Sequence, residues 1–124
     1  MTKRLKKVLC ALSAAACIFG SSISAYAIDF NVTPPSDPFS RVVKKNDTEQ
    51  NAYVTGLGFS KSGTLYAYSQ QCLDNNIRSD TMAISPSSPR DVKPYRRFAK
   101  AQLDYEMFSY ASTVGLNVHG RFTP

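Results

Sequence analysis

Toward its end the chain alternates apolar and polar residues without a break: Val114, Leu116, Val118, Gly120 and Phe122 interleave with Gly115, Asn117, His119 and Arg121. A period of two puts successive side chains on opposite faces of an extended strand. One apolar and one polar face predict an antiparallel strand with a core on one side and water on the other. The same period recurs upstream. In 51–59, Tyr53, Leu57 and Phe59 oppose Ala52 and Val54; in 64–73, Tyr66, Tyr68 and Cys72 oppose Leu65, Ala67 and Leu73. Apolar groups on both faces predict central strands. Between them Ser60-Lys61-Ser62-Gly63 offers a four-residue loop with a glycine free to take positive φ, which predicts that the two strands form a hairpin. Gly56 and Gly58 leave room for a bulge or a close neighbouring strand.

Residues 95–111 admit two readings. A helix gathers Phe98, Ala101, Tyr105 and Phe108 into one stripe, and Ala, Lys, Gln, Leu, Glu and Met favour it. A strand places Ala99, Ala101, Leu103, Tyr105 and Met107 against Lys100, Gln102, Asp104 and Glu106. The strand buries Leu103 and Met107, which the helix leaves off its stripe, so strand is the expectation. Shorter strands are expected at 40–44 and 81–85. Turns fall at Lys45-Asn46-Asp47-Thr48, at Asp74-Asn75-Asn76 and around Arg78-Ser79-Asp80, and Pro86-Ser87-Ser88-Pro89 is a connector. Short strands with turn signals every eight to twelve residues predict an all-β fold, a small antiparallel β-sandwich or barrel.

The first 27 residues have a different logic. Lys3, Arg4, Lys6 and Lys7 precede an apolar run over 8–20, and Ser24-Ala25-Tyr26-Ala27 closes the segment. A cationic start, an apolar middle and small residues at Ala25 and Ala27 match an export signal with an A-x-A cleavage site. Thirteen apolar residues fall short of the ~20 that cross a bilayer, which argues against a stable transmembrane anchor. The alternative is lipidation at Cys17, which follows Ala14-Ala15-Ala16 and would tether the chain to the membrane surface. Cleavage after Ala27 leaves an extended leader over 28–38, rich in Pro34, Pro35 and Pro38, and one β-rich domain over 39–124.

Cleavage also changes the charge. The chain has fifteen Lys plus Arg against nine Asp plus Glu. Four of the bases leave with the signal, so eleven face nine. A near-balanced domain lacks the basic footprint of a nucleic-acid binder. Cys72 is the only cysteine left, so no internal disulfide is available and packing has to hold the fold.

No pattern points to catalysis or to a cofactor. His119, the single histidine, faces the polar side of its strand, and neither a Gly-x-Ser-x-Gly elbow nor a thiol-hydrolase signature accompanies it or Cys72. Asp74, Asn76 and Asp80 have the alternate spacing of calcium ligands, but Arg78, Ser79 and Ser85 stand where a ligand, a glycine and a bidentate carboxylate are needed. The one charge concentration is Arg90, Lys93, Arg96, Arg97 and Lys100, a candidate contact for anionic headgroups or wall polymers. Asn31-Val-Thr33 and Asn46-Asp-Thr48 match the glycosylation sequon, which counts only in a eukaryote.

Phe98-Ala99-Lys100-Ala101-Gln102-Leu103, after two basic residues, resembles a strand motif of lactococcin-like secreted bacteriocins, although the chain has neither their tryptophans nor their histidine-rich region. The resemblance implies a small β-sandwich acting on neighbouring cells at the envelope. The expectation from the sequence is therefore a non-enzymatic secreted domain that binds at the bacterial envelope or outside the cell. A small hydrolase or an envelope accessory protein is the alternative.

Overall fold

The computed structural model describes residues 27–124; the apolar run of the signal, Cys17 and Ala25 lie outside the described residues. The described residues form eight strands: β1 (Ile28–Val32), β2 (Val43–Lys44), β3 (Asn51–Phe59), β4 (Leu65–Gln71), β5 (Met82–Ile84), β6 (Arg90–Pro94), β7 (Asp104–Ala111) and β8 (Val118–Thr123). The described residues contain no helix. Two four-stranded antiparallel sheets, ordered β1-β8-β3-β6 and β2-β7-β4-β5, form an all-β sandwich. No helix among them is long and apolar enough to cross a membrane.

The inward faces follow the period-two rule. Ile28, Phe30 and Val32 of β1, Ala52 and Val54 of β3, and Val118 and Phe122 of β8 supply one wall of the core. Leu65 and Ala67 of β4, Met82 and Ile84 of β5, and Tyr105 and Met107 of β7 supply the other. Each fully buried aliphatic or aromatic side chain of this kind stabilises the fold by about 1.5–3 kcal/mol relative to exposure.

Several expectations are corrected. β3 and β4 have nearly the predicted bounds, and both are central, but they do not form a hairpin: β3 pairs with β8 and β6, while β4 pairs with β7 and β5. The loop after Phe59 is an arch from one sheet to the other. Gly63 does take a positive φ of 146°, but the arch is tied to the β7–β8 connection and not to itself, through Ser60 N–H on Asn117 O (2.9 Å), Ser112 N–H on Thr64 O (3.0 Å) and Asn117 N–H on Ser60 Oγ (2.9 Å). Residues 28–32 are not a leader without a ladder. They are the edge strand β1, in register with β8 from Ile28↔Phe122 to Val32↔Val118.

Strand in 95–111 is confined to β7, because Gln102 adopts a left-handed φ of 66° and breaks the ladder. Residues 78–79 form extended bridges and not a turn, Gln70↔Arg78 and Ser79↔Tyr95. Val114, expected on the core face, is 82% exposed.

Sheet one closes through glycine. Gly56 and Gly120 are register partners in β3 and β8, and a Cβ on Gly120 would collide with the Thr55 carbonyl oxygen and sit 3.0 Å from Gly56 Cα and from the Phe30 ring. A Cβ on Gly56 would sit 2.6 Å from the Phe59 ring. The neighbouring backbone at Gly120 and the Phe59 ring at Gly56 thus occupy the space that side chains would take, and the strands approach closely there.

Polar groups pin the opposite end. Lys45, expected in a solvated turn, is 1% exposed. Its Nζ donates to the Pro124 carbonyl (2.9 Å) and pairs with Asp47 (3.2 Å), and it lies 5.4 Å from the Tyr95 ring centroid. A buried ammonium needs such partners, since desolvation otherwise exceeds what burial returns. Gln50 fastens the following loop, its Oε1 accepting the Ala99 N–H (2.8 Å) and its backbone carbonyl the Tyr95 N–H (2.8 Å). Tyr95 and Ser69 hydroxyls meet at 2.6 Å inside the core, and the Tyr105 hydroxyl donates to Lys100 O (2.9 Å).

Two outcomes test this arrangement. Gly120→Ala is expected to destabilise the domain by about 2 kcal/mol or more in urea denaturation, the cost of forcing atoms into a packed contact. Burial pushes the phenols of Tyr95 and Tyr105 above their ordinary value of 10.0. A raised folded-state value contributes stability that is whole below pH 10 and is lost as the pH climbs through the folded-state values. Alkaline titration followed by tyrosine absorbance is expected to show the Tyr95 phenol ionising last, together with unfolding, and the Tyr105 phenol ionising later than an exposed tyrosine.

Candidate functional site

The two sides of the sandwich are finished differently. At the β5/β6 side, cross-sheet contacts seal the gap: Asp80 N–H donates to Pro94 O (2.9 Å), Ala83 N–H to Asp91 Oδ2 (2.9 Å), and Ser79 bridges Tyr95. At the β1/β2 side the chain reverses at Thr33 and Asp37, which exchange backbone bonds of 2.8 and 2.9 Å. The arms then separate. β1 stays with β8, while the chain from Pro38 to Lys44 crosses to β7, with Ser109 N–H on Pro38 O, Ser40 N–H on Met107 O and Met107 N–H on Ser40 Oγ.

Between the splayed arms lies an open cleft of about 800 Å³, lined by residues that include Asp29, Asn31, Asp37, Phe39, Arg41 and His119. Its size falls in the range of ligand-binding clefts, roughly 300–1,000 Å³. A bulge in β3 shapes one wall: the register with β8 shifts between Gly56 and Gly58, turning Leu57 outward at 63% exposure. Bulges re-aim side chains in this way next to sites. Gly58 seats the His119 ring, since a Cβ there would collide with the imidazole. Asn117 fixes the far end, its Nδ2 donating to Asn31 Oδ1 (2.6 Å), Thr33 Oγ1 (2.9 Å) and Val32 O (3.2 Å).

The outer face of sheet two carries a second feature. Cross-strand neighbours Tyr66 and Tyr110 stack at 5.1 Å, Tyr68 and Phe108 lie 5.3 Å apart, Phe39 meets Phe108 edge-on at 5.1 Å, and Arg78 sits over Tyr68. Such pairs add about 0.5–1.5 kcal/mol beyond the area they bury. Phe39 belongs both to this cluster and to the cleft wall, so the aromatic surface runs up to the cleft.

The basic cluster is dispersed. Register partners share a face, so Arg90, opposite Thr55, points outward from sheet one, whereas Lys93, opposite Ala52, lies on the other side of β6. Arg96 is paired with Asp80, and Arg97 and Lys100 are exposed in the loop beyond. Cys72 and His119 are also apart. His119 projects from sheet one, and half-buried Cys72 follows β4 of sheet two, in a recess of about 260 Å³ beside Gln70 and Glu106. Asp74 closes a local turn, accepting the Asn76 N–H (3.1 Å). Among the described residues no three His, Cys, Asp or Glu side chains gather as metal ligands.

Of the residues weighed as sites from the sequence, His119 and Asn31 enter the cleft; Leu57 and Gly120 also line it but stood only as positions on strand faces. Asp29, Asp37, Phe39 and Arg41 were not singled out. The one available signal was Phe39, an aromatic residue directly after a proline-rich stretch. Compared with protein-family models and with curated proteins, the chain matches none of them.

Gly58→Ala is expected to push the His119 ring out of its seat. Because that ring is exposed, stability should change by under about 1 kcal/mol, while the His119 imidazole resonances shift in the NMR spectrum.

Proposed function

We propose that the chain is an exported β-domain that acts by binding, not by catalysis, at the bacterial envelope or outside the cell, with the cleft at the β1/β2 side as its site. The observation that carries this reading is the cleft itself, the open side of a sandwich whose other side is sealed. It offers apolar surface at Phe39 and Leu57 together with the carboxylates of Asp29 and Asp37 and the guanidinium of Arg41, a mixture that orients a ligand without activating one. Cys72 and His119 on different sheets supply no nucleophile and base in mutual reach, and a covalent mechanism needs the two within hydrogen-bonding distance. Export is supported by the signal-like first 27 residues.

The sharpest form of the reading is a bacteriocin-like antagonist of neighbouring cells, and its rival is an accessory component of the envelope. Arg97 and Lys100 remain available for contact with an anionic surface, a lesser contribution because the other bases of the cluster point elsewhere or are paired.

Two measurements decide. The intact mass of the protein released by its host is expected to match residues 28–124; a lipid-bearing mass starting at Cys17 would place it on the membrane surface instead. The purified protein is expected to co-sediment with washed bacterial cells, and Phe39→Ala to weaken this about ten-fold while costing only about 1 kcal/mol of stability, since the ring is partly exposed. Equal binding by the variant removes the cleft from the reading, and absence of growth inhibition at high concentration removes the antagonist form.

A further inference from the structure

Four strands lie at sheet edges, and three of them are protected. β6 carries Arg90, Lys93 and Pro94 within its five residues. β5 is three residues long, and Asp91 Oδ2 takes the outward N–H of Ala83. β2 is two residues long. Charges, proline, brevity and side-chain caps are the devices by which natural sheets prevent a further strand from adding. β1 is the least protected: its one charge is Asp29, and a side-chain cap reaches only its last carbonyl. It runs for five residues, Ile-Asp-Phe-Asn-Val, without proline, lysine or arginine, and among the described residues it pairs only with β8. Among the described residues no backbone hydrogen bond joins it to the arm at 38–44, and only its last carbonyl, Val32 O, receives a side-chain donor, Asn117 Nδ2. The cleft runs along this edge, lined by Asp29, Phe30 and Asn31 in succession.

We propose that the cleft takes an extended segment of another polypeptide, which adds to β1 as a fifth strand of sheet one. The inference rests on the binding reading above and names the class of partner. An antiparallel strand leaves alternate N–H and C=O groups turned away from its neighbour, and only another extended backbone meets that spacing. Phe39 and Arg41 line the same cleft, so an added strand would lie along β1 with these side chains beside it.

The period of two also sets the partner's side chains. Those beside Phe30 turn toward the sandwich, as Phe30 does, and are apolar. Those beside Asp29 and Asn31 turn outward and are polar. A polar residue is favoured opposite Asp29, whose carboxylate is 82% exposed and already has Arg121 at 3.9 Å on its β8 side; a base there would meet the carboxylate from the open side.

The test uses the purified protein and an array of blocked peptides, about seven residues long to cover β1 with a margin, in which valine, leucine or phenylalanine alternates with lysine, asparagine or serine. Amide hydrogen exchange in 28–32 is expected to slow about ten-fold with the bound members, and N-methylation of alternate peptide residues to weaken binding about ten-fold, the loss of one or two backbone hydrogen bonds. The proposal is overturned if no array member protects β1 or if N-methylation has no effect. Protection that maps to Tyr66, Tyr68, Phe108 and Tyr110 moves the site to the aromatic face and overturns it as well. So does protection of β1 by raised protein concentration alone, which assigns the edge to a second copy. Failure of the peptides alongside continued co-sedimentation with washed cells removes strand addition and leaves the binding reading intact.

Discussion

Hydrogen bonding between strands distant in sequence is the constraint on which this domain depends. Of its ladders only β4–β5 joins consecutive strands; β1–β8, β8–β3, β3–β6, β2–β7 and β7–β4 all reach across the chain. Each connection except β4–β5 therefore passes from one sheet to the other, and neither sheet can be completed without the other. Loop closure opposes every such pairing before packing rewards it. The close contact at Gly56 and Gly120 sits in the middle of this scheme, where β8 lies between the first strand and the third.

The crossings gather at the two ends of the sandwich, where the connections bind one another. At one end the 60–64 arch and the 112–117 connection share Ser60, Thr64, Ser112 and Asn117. At the other, Lys45 and Gln50 hold the long connection before β7 and the final residue Pro124. With one cysteine among the described residues, polar clasps do the work that disulfides do in many small exported domains. A buried ammonium in such a place adds little net stability, because its own desolvation offsets much of its attraction to Asp47, but loss of either partner would leave a costly uncompensated charge.

The sequence made some of this legible and withheld the rest for physical reasons. Alternation identifies a strand and its faces, so β8, the inward Tyr105 and Met107 of β7, and the bounds of β3 and β4 can be read directly. It says nothing about which strand lies alongside, and a four-residue loop with a glycine serves an arch as well as a hairpin. β1 is masked by the prolines that follow it, although Ile28, Phe30 and Val32 carry the same period as the others. Lys45 in a run of Lys, Asn, Asp and Thr has the composition of a solvated turn, and its burial depends on partners two and seventy-nine positions away. The cleft is harder still, since its walls come from residues 29–31, 37–41, 57 and 119, which only the fold collects. Conversely the bases at 90–100 look like one patch because they are near in sequence, and strand alternation with the Asp80 pairing takes them apart.

The neighbouring position of β1 and β8 bears on when sheet one can form. Ile28 finds its partner at Phe122, so a chain that emerges from the ribosome amino end first shows β1 long before the strand that covers it. Sheet one stays open until β8 emerges, and its closure is a late, post-synthetic event.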